Sequence, residues 1–153
     1  MYLGLHLDEK LTWKTHIKAK RCQLELKLKN MSWLINTRSQ LFLDSKLTVY
    51  KTILRPIWTC GIELWGCSKP SSTKILQTFR SKMLRMISSA PWSASNQTLH
   101  NDFEIPYVTE VLRINTNKYK IRSTAHSNQL IRTLFNPSVD RRLKRLWPED
   151  LAQ

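Results

Sequence analysis

The residues able to do chemistry are few and scattered in this 153-residue chain. Two-metal chemistry on phosphate needs clustered carboxylates, usually adjacent or on neighbouring strands. The candidates are Asp8-Glu9, Asp102 with Glu104, and Glu149-Asp150. None is flanked by an apolar strand that would bury a metal, so each is expected to serve as a cap or solvated turn. His6, His16, His100 and His126 never fall in a paired ligand spacing with Cys22, Cys60 and Cys67, so no metal site is expected. Three cysteines without framework spacing argue for reduced thiols rather than a disulfide scaffold. No Gly-x-Ser-x-Gly elbow is present, and three glycines are too few for a phosphate-cradling loop. No catalytic residue is therefore assigned, and the chain itself calls for no cofactor.

The basic residues carry the strongest chemical signal. Lys and Arg number 25 against 11 Asp and Glu, a net charge of +14 that folding must tolerate as self-repulsion. A polyanionic partner is the natural counterweight. The cations are spread through helical segments among tryptophans, which favours nucleic acid over a membrane anchor built on one polybasic tail. A solvated basic surface without a specific partner is the bland alternative. No stretch reaches the roughly 20 apolar residues that span a bilayer, and the first residues lack the features of a signal peptide, so an intracellular location, nucleus or cytoplasm, is expected.

The elements that must position these cations follow from apolar periodicity. Tyr2 to Leu7 alternates like a short strand, with Leu3, Leu5 and Leu7 on one face and no partner strand in sight. A strand needs its backbone groups paired, so the sequence is expected to begin inside a larger domain. From Thr12 or Trp13 to about Asn36 the period is helical, with Ile17, Leu24, Leu28, Met31 and Ile35 on one face and Cys22, Leu26 and Trp33 on a second apolar strip. Lys14, Lys18, Arg21 and Lys29 form a basic edge between them. The stretch Leu54 to Gly66 should be the core, entered by a helix starting near Asp44 and kinked near Arg55 by Pro56, with Gly61 and Gly66 as further weak points. After Ser68-Lys69-Pro70-Ser71-Ser72, an amphipathic helix sets Ile75, Leu76, Phe79, Met83, Met86 and Ile87 opposite Lys74, Lys82 and Arg85. Ser95-Asn96 caps a short turn, and Pro106 opens another long helix toward His126.

These short patterns also come in an informative order. Tyr2-Leu3-Gly4 with Leu7-Asp8 and Leu11-Thr12-Trp13, Leu54-Arg55-Pro56-Ile57 with Gly61 and Leu64-Trp65-Gly66, Leu76-Gln77, Leu84-Arg85 with Ile87, Ala90-Pro91-Trp92 with Asn96, Leu99-His100 with Asp102 and Ile105-Pro106, and Arg141 to Arg145 with Pro148 and Asp150-Leu151 follow one another. Together they resemble the C-terminal part of the reverse transcriptase of jockey-type non-LTR retrotransposons. Cys60 stands where a tyrosine is common, and Ser93-Ala94 replaces a bulkier pair.

The resemblance implies a mostly α fold: a thumb-like helical bundle preceded by one short β-strand left over from a palm sheet. Residues 1–12 would be the palm-end strand and turn, 13–136 the helical thumb and C-terminal extension, and 137–153 a basic tail. Tyr2, Leu3 and Gly4 would be primer-grip-like, and Lys14, Lys18, Arg21, Lys29, Lys74, Lys82 and Arg85 would contact nucleic acid, an RNA–DNA hybrid or duplex. The family's aromatic-Ala-Asp-Asp motif and its earlier metal-binding aspartate have no counterpart here. Mg²⁺ is thus implied for the parent polymerase, the upstream palm domain is a missing partner, and this chain alone is expected to be inactive as a polymerase. The alternative is a non-enzymatic helical interaction protein from a truncated element copy.

Overall fold

The computed structural model describes residues 4–132 and 148–151. Tyr2 and Leu3, and most of the expected basic tail 137–153, lie outside the described residues. The described chain is mostly helical: α1 Lys14–Asn30, α2 Ser32–Ile35, α3 Leu43–Val49, a π-helical turn Tyr50–Leu54, α4 Arg55–Thr59, α5 Ile62–Trp65, α6 Pro70–Ser88, α7 Asn96–Asp102, α8 Val108–Thr124, α9 Gln129–Arg132 and a 3₁₀ turn Pro148–Leu151.

The central stretch is the core, as its composition predicts. Leu54, Trp58, Ile62 and Trp65 are buried, and α1 and α6 pack against each other over Ile17, Leu24, Leu76, Phe79 and Met83. The expected kink at Arg55 takes a different form. A proline ring crowds the carbonyl four residues earlier, here that of Thr52, and the turn just before Pro56 is widened to π winding while Val49, Tyr50, Leu54 and Arg55 all keep right-handed helical dihedrals. The break comes later, where Cys60 becomes extended (ψ 121°) and Gly61 turns left-handed (φ 65°). Gly66 is needed for a different reason, since a Cβ there would collide with Leu112 Cδ2 and lie 2.6 Å from the Ile62 carbonyl oxygen.

Two expectations about the first helix change. It ends at Asn30 and restarts at Ser32 as the short α2, instead of running to Asn36. The second apolar strip is not covered: Cys22 is exposed, Leu26 is 59% exposed and Trp33 75%. Asp44 lies within the first turn of α3 and does not cap it.

No strand occurs among the described residues; Leu5 makes a single isolated bridge. Leu5 and Leu7 part company, with Leu5 buried and Leu7 exposed. Leu5 reaches Gly61, where an added Cβ would stand 2.7 Å from its Cδ2. Asp8 then turns the chain into α1, accepting from the amides of Thr12 at 2.9 Å and Trp13 at 3.1 Å. The segment is held by the buried Leu5, by the bond from the His6 amide to His16 Nδ1 and by the Asp8 carboxylate cap, where the alternation had suggested a ladder.

Candidate nucleic-acid interface

The cations of α1 and α6 are positioned by the apolar faces opposite them. On α1, Lys14, Lys18 and Lys29 are exposed and make no ion pair among the described residues. Arg21 is half-buried and committed: it donates to Glu25 Oε1 from Nε at 3.0 Å and from Nη2 at 2.6 Å, and its guanidinium lies 5.7 Å from the centre of the Phe79 ring. That contact brings the Lys14–Lys18–Arg21 flank of α1 to the border of α6. Lys82 lies one turn beyond the buried Phe79 and is exposed, at the edge of the apolar face. Lys29 is about four turns from Lys14 along α1 and belongs to the far end of the helix.

On α6, Lys74 and Lys82 are exposed. Arg85 is not a free cation. Its Nη1 donates to the Pro91 carbonyl at 2.6 Å, and its Nη2 donates to the Ala94 carbonyl at 2.8 Å and to Asn96 Oδ1 at 3.0 Å. Its first task is to shape the loop after α6. Gly4 takes φ 78° with open space around the missing Cβ, and Tyr2 and Leu3 lie outside the described residues.

Several residues that no charge or periodicity signal points to turn out to hold the frame together. Gln77 donates from Nε2 to His100 Nε2 at 2.9 Å, and its Oε1 accepts from the Val108 amide at 3.0 Å. His100 in turn donates from Nδ1 to the Ile105 carbonyl at 2.7 Å and stacks on Tyr107 at 4.2 Å between ring centres. One amide side chain thus ties α6 to α7 and to the start of α8. Burial, opposed by the Ile105 bond, pulls the His100 pKa down, in keeping with a neutral ring that accepts at Nε2. Arg80, 1% exposed, is anchored to Tyr50 and to the Pro106 carbonyl. The paired patterns in the sequence, Leu76-Gln77 with Leu99-His100 and Ile105-Pro106, and Leu84-Arg85 with Ala90-Pro91-Trp92 and Asn96, are in large part the partners in these two hydrogen-bond networks.

Several of the described carboxylates are already committed to partners within the chain. Among the described residues no group of three or more His, Cys, Asp or Glu side chains could hold a metal ion. Asp8 spends both oxygens on Thr12 and Trp13, with the Thr12 hydroxyl bond as the main reason its pKa is lowered. Glu25 faces Arg21, Glu63 faces Arg122 at 3.9 Å, and Glu110 accepts from the Tyr107 amide at 2.8 Å. No helix among the described residues is long and apolar enough to cross a membrane.

Over 150 residues the chain is 37% identical to the probable RNA-directed DNA polymerase from transposon X-element of Drosophila melanogaster, a match covering 98% of this chain and 16% of that protein. It is 35% identical over 159 residues to the RNA-directed DNA polymerase from mobile element jockey of the same organism, covering 98% of this chain and 17% of that one. It is 33% identical over 144 residues to the probable RNA-directed DNA polymerase from transposon BS, covering 94% and 16%. The chain spans about a sixth of the length of the curated relatives it matches. No protein-family model matches it, and no solved structure matches it significantly.

Proposed function

We propose that this chain, homologous over nearly its whole length to a small part of jockey-type non-LTR retrotransposon RNA-directed DNA polymerases, is the part of such a polymerase that grips template and primer. In this reading it is the helical thumb and C-terminal extension, and nucleotidyl transfer belongs to a palm that supplies the carboxylates and Mg²⁺. The chain's own residues bind and orient. The observation that carries the reading is that Lys14 and Lys18 on α1 and Lys82 on α6 are exposed and make no ion pair among the described residues, in a chain of net charge +14. Cations placed on rigid helices neutralise phosphates without reading bases, so binding is expected to be weak, salt-dependent and indifferent to sequence.

The test is the affinity of the chain for an RNA–DNA hybrid and for duplex DNA over a range of salt. Neutralising Z phosphates gives a log-log slope of about −0.9Z on duplex DNA. An affinity that stays flat as salt rises would sink the electrostatic grip.

A second reading, a protein-binding module, is favoured by one observation: the uncovered groove between α1 and the central helix, where Leu26, Ile53 and Ile57 lie beside Lys27. Salt-insensitive binding to a protein would select it.

A further inference from the structure

The loop between α6 and α7 is fixed at both ends yet displays a large aromatic ring. α6 closes with Ser89 in the left-handed conformation (φ 54°), and the Ala90 amide bonds back to the Arg85 carbonyl at 3.2 Å. The Arg85 guanidinium then binds the Pro91 and Ala94 carbonyls and Asn96 Oδ1. The Ala94 amide donates to the Pro91 carbonyl at 3.1 Å, and Ser95 Oγ caps α7 by accepting from the Thr98 amide at 3.0 Å. Trp92 stands on this braced turn with 92% of its surface in solvent. Its immediate neighbours Pro91, Ser93, Ser95 and Asn96 are exposed too, and among them none is a large apolar residue.

We propose that Trp92 is a stacking platform for an unpaired base of single-stranded nucleic acid. This rests on the nucleic-acid reading above and adds to it a residue and a substrate state. A protein partner is recognised through a contiguous apolar patch that excludes water. Along the described turn 91–96 the Trp92 indole has no such patch beside it. It does offer a π-face, and every base can stack on one regardless of sequence. Bracing the turn lowers the entropy lost when a base settles on the ring, and the positive charge of Arg85 at the base of the loop favours the adjoining phosphate. Arg85 is thus a positioning residue for Trp92.

The experiment compares the full chain with Trp92→Ala and Trp92→Phe, measuring fluorescence anisotropy on a short labelled oligothymidylate and on a strand of equal length made of abasic residues. Trp92→Ala should weaken binding to the intact strand roughly 5- to 150-fold, change binding to the abasic strand less than about twofold, and leave thermal unfolding unchanged. Trp92→Phe, which keeps a ring, should hold most of the affinity. Equal losses on both strands, or no loss on either, would overturn stacking while leaving the salt-dependent grip intact. Failure of the unaltered chain to bind any strand or duplex would overturn the nucleic-acid reading itself, and this inference with it.

Discussion

Arg80 donates its Nε proton to the Tyr50 hydroxyl at 2.8 Å in the interior, joining α6 to the π-helical turn. The same guanidinium lies 4.6 Å from the centre of the Trp58 ring and donates from Nη2 to the Pro106 carbonyl at 2.8 Å. Its Nη1 has no partner among the described residues, and no carboxylate pairs with it there. Burial lowers its pKa, and Tyr50 works against that. The buried cation is stabilised by a phenol, a carbonyl and an aromatic face.

Removing one member of such a pair costs the desolvation of the other. Tyr50→Phe should lower unfolding free energy by about 1–3 kcal/mol. Arg80→Ala should cost about 3–5 kcal/mol. Urea denaturation of both single variants and the double variant should give a coupling of at least ~1 kcal/mol. Strictly additive losses would show that the two side chains do not act as a unit.

His16 makes stability depend on acidity. It is fully buried between Trp13, Trp65 and His6, and its Nδ1 accepts from the His6 amide at 3.3 Å, so the proton sits on Nε2. Burial first, then the charges of Lys20 and His6, lower its pKa from 6.5 to about 4. The unfolded chain therefore holds the proton more tightly. The stability gained from a neutral His16 is complete above the unfolded value of 6.5 and drains away as pH falls toward about 4, with a slope of up to about 1.4 kcal/mol per pH unit. His16→Gln, which retains an acceptor for the His6 amide, should flatten that part of a denaturation-midpoint profile. An unchanged slope would assign the acid sensitivity elsewhere, with His100 the next group to replace.

Gln77 bridges three elements through one amide group. Gln77→Ala should strip a partner from both His100 Nε2 and the Val108 amide, costing about 2–3 kcal/mol by chemical denaturation. Hydrogen exchange should quicken at Val108 and the first turn of α8, while the amides of α1 keep their protection. Uniform loss across the chain would mean that the bridge is not local.

The basic residues divide into two classes that a binding assay can separate. Lys14→Ala, Lys18→Ala and Lys82→Ala combined should reduce the salt slope of duplex binding by about 3 and leave stability within about 0.5 kcal/mol. Arg85→Ala should instead loosen residues 90–96 and cost about 1–3 kcal/mol. The reverse pattern would remove the α1–α6 border from the interface.

What could be read in the sequence was periodicity and punctuation. The buried face of α6, through Leu76, Phe79, Met83 and Ile87, follows from spacing, as does the burial of Leu54, Trp58 and Trp65 from the density of apolar residues. Spacing groups residues on a face but does not say whether anything covers that face, so Leu26 and Trp33 look like a second core strip and are exposed. Cations were harder. Arg85 reads as a cation free to meet phosphate, yet it is spent on loop carbonyls, and Lys46 Nζ likewise donates to the carbonyls of Asn36 at 2.9 Å and Ser39 at 3.3 Å. A backbone carbonyl is present at every residue, so its recruitment by a side chain leaves no mark in the residue types. The bridging role of Gln77 leaves no mark of spacing either, because its partners lie 23 and 31 residues away.

The π-helical turn Tyr50–Leu54 ahead of Pro56 bears on how such chains diverge. A π turn is an α turn holding a surplus residue, and here the surplus opens the carbonyl layer where the proline ring would otherwise collide with Thr52. Deleting one of the exposed residues Lys51 or Thr52 would rewind the helix and restore the collision; replacing Pro56 would leave the widened turn without a purpose. The widened turn and the proline are therefore expected to be gained or lost together, so that a chain one residue shorter here should lack the proline as well.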